Sequence, residues 1–84
     1  MVRFFVDSNI FLRFYNADEP EQKNAASEVF LKAKRGEIEL FCGPPVFFEV
    51  AWVLRSSYKI PTSTVIDTLE SMIAIPNLYL WRNQ

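Results

Sequence analysis

Val2-Arg3-Phe4-Phe5-Val6-Asp7-Ser8-Asn9-Ile10-Phe11-Leu12-Arg13-Phe14-Tyr15 is the stretch on which the fold turns. An apolar run from Val2 to Val6, interrupted by Arg3, stops at three polar residues. Phe4, Phe5 and Val6 read as a buried strand, because a short β-branched and aromatic run bounded by a polar turn is the parallel-sheet pattern. Ile10, Phe11, Phe14 and Tyr15 then fall at the i, i+1, i+4, i+5 spacing of one helix face. Asp7 therefore stands at the carboxyl end of a strand and at the entrance to a helix. In open α/β sheets that rim is where ligands bind. On position alone the same carboxylate serves equally well as a helix N-cap.

Outward from that stretch, composition sets the bounds. The chain of 84 residues is one small domain, of a size that buries only about 60–65% of its unfolded surface. Half of it is apolar and 15% is aromatic, with eight Phe, three Tyr and two Trp. That is a large apolar load for a three-layer fold this short, so part of it is expected to meet a partner or a further segment of chain. The net charge of −1 provides no basic field to draw the protein to nucleic acid. The single Cys42 forms no intrachain disulfide, and with no histidine present a Cys/His zinc site and a Ser-His-Asp triad are excluded. The short apolar start lacks a signal-peptide layout and no segment reads as a membrane span, so a cytoplasmic protein is the expectation.

The rest of the chain reads as a strand and two helices, a second strand and two more helices, then a third strand. Asn16-Ala17-Asp18-Glu19-Pro20 closes the first helix. A second helix runs from Glu21 to about Arg35, with Ala25, Ala26, Val29, Phe30 and Ala33 inward and Gly36 as its cap. Ile38 to Phe41 is a strand, and Gly43-Pro44-Pro45 opens a third helix to about Ser57, with Val46, Phe47, Val50, Val53 and Leu54 toward the core. A fourth helix begins at Ile60-Pro61-Thr62 with Val65, Ile66, Leu69, Met72 and Ile73 on one face and Asp67 and Glu70 on the other. Pro76-Asn77 ends it and Leu78 to Trp81 is the last strand. Strands alternating with helical pairs predict a parallel sheet with right-handed crossovers.

Glu49 is the second chemical feature. At roughly 100° per residue it lies roughly 40° from Val53 and 60° from Val46, at the margin of the apolar stripe, so a half-buried carboxylate is expected. Such a group needs an Arg, a backbone donor or a cation beside it. Taken alone, such a position favours a solvated or salt-bridged side chain. Two carboxylates, one at a strand end and one on a helix over the same sheet, are what a divalent cation with hard oxygen ligands requires.

Together these motifs resemble a known family. Phe5-Val6-Asp7-Ser8-Asn9-Ile10-Phe11-Leu12, followed by Pro45-Val46-Phe47-Phe48-Glu49-Val50, is similar to the PIN domain, most closely the VapC-like toxin ribonucleases of toxin–antitoxin pairs. The resemblance implies that Asp7 and Glu49 are catalytic acidic residues holding Mg²⁺ or Mn²⁺. It implies that Ser8 and Asn9 steady those carboxylates by hydrogen bonds. The implied activity is metal-dependent endoribonuclease cleavage of single-stranded RNA. A cognate antitoxin is the implied partner, received in a groove between the first two helices and the third and fourth, with a homodimer face on the third and fourth helices. Phe47, Phe48, Trp52 and Tyr58 line either surface or belong to the core, and for Phe47 the core is preferred.

The departure from the family is that its other acidic positions lie beyond the third strand, whereas no Asp or Glu follows Glu70 here. Residues 1–84 are therefore expected to form a truncated PIN-like α/β domain, β-α-α-β-α-α-β, with little or no activity. The alternative is an inactive fragment that acts only as an antitoxin-binding or dimerisation module. Two other strand-Asp families fit less well. A haloacid-dehalogenase-like phosphatase needs a second Asp where Asn9 stands, and a receiver-type phosphoacceptor needs an Asp where the second strand offers Cys42. In the family's strand order, 3-2-1-4-5, ending after the third strand leaves Arg3 to Val6 as an open edge. The species is thus expected not to be a free monomer: a second copy pairs along or packs over the first strand, or the missing segment is present separately.

Overall fold

The computed structural model describes residues 2–16 and 18–81. Three strands and four helices alternate as the sequence predicts: β1 (Val2–Phe5), α1 (Ser8–Asn16), α2 (Pro20–Lys34), β2 (Ile38–Cys42), α3 (Pro44–Ser56), α4 (Thr62–Ile73) and β3 (Leu78–Leu80). Each boundary has a local cause. Proline occupies the first turn of both α2 and α3, where its missing N–H removes no helical bond. Helix α2 ends where Gly36 takes a φ of +78°. The Gly36 N–H donates to the Ala33 carbonyl and the Glu37 N–H reaches back to Lys32, the paired bonds of a Schellman cap.

The sheet is parallel throughout, in the order β1-β2-β3. Val2 pairs with Ile38 and Phe5 with Phe41, while Leu40 pairs with Leu78 and Cys42 with Leu80. One further rung at each end extends the ladders, from the Val6 N–H to the Phe41 carbonyl and from the Trp81 N–H to the Cys42 carbonyl. Because the strands are laid down in one direction, right-handed crossovers carry both helical pairs to the same side. The core accords with that. Val6, Leu40 and Cys42 pack with Phe11 of α1, Phe30 and Ala33 of α2, Val50 and Leu54 of α3, and Val65 and Met72 of α4 in one cluster. The result is a two-layer slab of 38 × 35 × 16 Å rather than the three layers anticipated.

That layering corrects several expectations about burial. β1 is not a buried strand: Val6 just beyond it is buried, but Phe4 is 40% and Phe5 63% exposed. Among the described residues it has a strand neighbour on one side only, and its odd-numbered residues face the side of the sheet away from the helices. Ala25, Ile66 and Ile73, assigned inward from periodicity, are also exposed, since a single sheet face this narrow cannot receive the full apolar width of four helices. Phe47 does pack against the core, with its ring centroid 6.5 Å from that of Phe11.

Cys42 is buried at the end of β2, and burial pushes its thiol pKa up. A thiol so placed is held neutral and shielded, so reagent attack waits for unfolding. Ellman's reagent is expected to label Cys42 in native protein at roughly a hundredth of its rate in denaturant, or slower. The sign for stability follows from the same shift. The contribution is complete below the unfolded thiol's pKa and is lost as pH rises through the higher folded value. Tyr15 shifts the same way, raised by burial and partly offset by its hydrogen bond to Ser71, so alkaline rather than acidic pH erodes the contribution of both groups.

Candidate functional site at the carboxyl rim of the sheet

Asp7 follows directly on the Val6 rung, at the carboxyl end of β1, and is exposed. Its Oδ1 accepts a hydrogen bond of 3.2 Å from the Ile10 N–H, three residues on, which is the geometry of an N-cap for α1. The capping role therefore holds. It engages one carboxylate oxygen and is compatible with a cation on the other.

Glu49 lies in the second turn of α3, the helix that springs from the carboxyl end of the neighbouring strand β2. Helices α1 and α3 pack against each other, with Phe11 against Phe47. The two carboxylates thus belong to adjacent elements rising from one rim. The Glu49 side chain is exposed, however, not half inside as its angular position suggested. Val50, the next residue, takes the inward position and is fully buried, which turns Glu49 out to water. Among the described residues it has no ion pair.

Ser8 is buried as the first residue of α1, and Asn9 beside it is exposed. The hydrogen bonds found among the described residues include none from either side chain to Asp7 or Glu49. Nor do three or more His, Cys, Asp or Glu side chains gather anywhere among those residues in a way that could hold a metal ion. Asp7 and Glu49 are hard, solvent-accessible oxygen donors.

Two further surfaces stand out. A largely apolar groove of about 520 Å³ runs between α1, α2 and α4, lined by Phe14, Tyr15, Phe30, Leu31, Ile75 and Pro76, with Lys34 among its polar lining. The Tyr15 hydroxyl and Ser71 Oγ, 2.8 Å apart, tie α1 to α4 at that groove. Separately, α3 and α4 carry exposed apolar side chains, with Phe48 at 75%, Trp52 and Ile73 at 69% and Ile66 at 50%. Tyr58, just beyond α3, is also exposed. None of Phe47, Phe48, Trp52 and Tyr58 lines the groove.

The sequence predicts incomplete cover on at least one face of the sheet at the first strand, and among the described residues one face lacks helices along all three strands. Arg3 and Phe5, Glu39 and Phe41, and Tyr79 and Trp81 occupy alternate positions in register. Aliphatic residues alternate with them toward the helices, the period-2 mark of a sheet covered on one side. The chain matches no protein-family model and none of the curated proteins. No helix among the described residues is long and apolar enough to cross a membrane.

Proposed function

We propose that this chain carries the N-terminal half of the metal-binding rim of a PIN-like endoribonuclease of toxin–antitoxin type, acting on single-stranded RNA. The observation that supports this most is the placement of Asp7 at the carboxyl end of β1 and Glu49 on α3, both exposed on adjacent elements of one parallel-sheet rim. Asp7 and Glu49 would hold Mg²⁺ or Mn²⁺. A cation there would lower the pKa of a bound water and offset charge on the scissile phosphate. The chain itself contributes a carboxylate fixed by the Ile10 amide at one position and a second, freely hydrated one at the other. Two carboxylates bind a cation weakly, and the reading requires further acidic groups for turnover.

Mn²⁺ titration calorimetry tests the site. Asp7→Asn retains N-cap capacity while removing the charge, so it is expected to keep the far-UV circular dichroism and thermal midpoint and to lose measurable Mn²⁺ binding. Equal binding by this variant and the native chain would rule Asp7 out as a ligand. With Mn²⁺ and single-stranded RNA, the 84-residue chain is expected to cleave no faster than background. Robust cleavage abolished by Glu49→Gln would establish instead a complete centre.

The second reading is a binding module without catalysis, and the groove between α1, α2 and α4 favours it. Its apolar lining, with Lys34 beside it, suits the apolar face of an amphipathic helix with acidic flanks. An antitoxin segment is the partner the family resemblance suggests. Ile75→Glu should abolish capture of such a helix and leave Mn²⁺ binding unchanged.

A further inference from the structure

We draw no further inference here: the strongest candidate, the apolar groove between α1, α2 and α4 with Lys34 and the Tyr15–Ser71 pair along it, belongs to the binding surface already described, and nothing in the structure shows what covers it.

Discussion

Phe11→Ala should leave the protein largely unfolded at room temperature. Phe11 has no solvent exposure and sits where three helices converge, its ring 5.5 Å from Phe30 of α2 and 6.5 Å from Phe47 of α3. Truncation removes the ring and leaves a cavity that neighbours anchored on three separate helices cannot collapse to fill. Comparable changes cost about 3–5 kcal/mol. A domain of 84 residues has a total stability of roughly 4–12 kcal/mol, and a two-layer core belongs at the low end of that range. Urea titration followed by circular dichroism should find the midpoint near zero denaturant. Phe11→Leu, which refills most of the space, should lose only about 1–2 kcal/mol. Equal losses for Ala and Leu would mean that ring stacking, not volume, holds the helices together.

The second large effect is expected at Asn77, the residue that turns the chain from α4 into β3. Its φ is +60°, in the left-handed region. Its Nδ2 donates to the Ala33 carbonyl at 2.7 Å in a part-buried contact, its own carbonyl accepts the Leu40 N–H at 2.8 Å, and its Oδ1 accepts the Tyr79 hydroxyl at 3.2 Å. One residue thus joins the end of α2, the middle of β2 and the start of β3. Asn77→Val forces a β-branched side chain into left-handed backbone and deletes both side-chain bonds, which together should cost about 3 kcal/mol. Asn77→Gly keeps the conformation at no steric cost. Because the Ala33 carbonyl retains the Gly36 N–H, the glycine variant should lose only about 1 kcal/mol. Chemical denaturation of both variants measures the difference. If Val and Gly cost the same, the backbone conformation contributes nothing and the side-chain bonds carry the turn.

The contrast between these positions bears on what the sequence discloses. Element types and their order were legible because local signals agree: prolines open α2 and α3, Gly36 ends α2, and the aliphatic runs of β2 and β3 are bounded by turn residues. The inward faces were less legible, because periodicity gives an angle and not a partner. Ile66 and Ile73 fall on the same stripe as Val65 and Met72, yet the single sheet face reaches only the latter two. The half-buried placement of Glu49 failed for the same reason, since its stripe margin faces water once Val50 takes the inward position, and the solvated side chain read as the alternative is the one found. Of the candidate site, the rim position of Asp7 was readable from the strand-to-helix transition. Its bond to the Ile10 amide was anticipated as one of two uses of a carboxylate there. Asn77 was read as a helix stop alone, for nothing local announces an amide that reaches back to Ala33, 44 positions earlier.

The unidirectional strand order also governs how the molecule comes into being. Strands that are neighbours in the sheet are consecutive in the sequence, so β1 waits only for β2, and β2 only for β3. No loop has to be closed across the whole chain before the sheet starts to form, and the entropy of closure is met in two modest instalments. As the chain leaves the ribosome, β1-α1-α2-β2 can condense first as a unit, with Phe11 already against Phe30. The second unit then docks on an existing template, fastened when Asn77 arrives to meet Ala33 and Leu40. Asn77 is thus the residue through which the second unit is tied to the first.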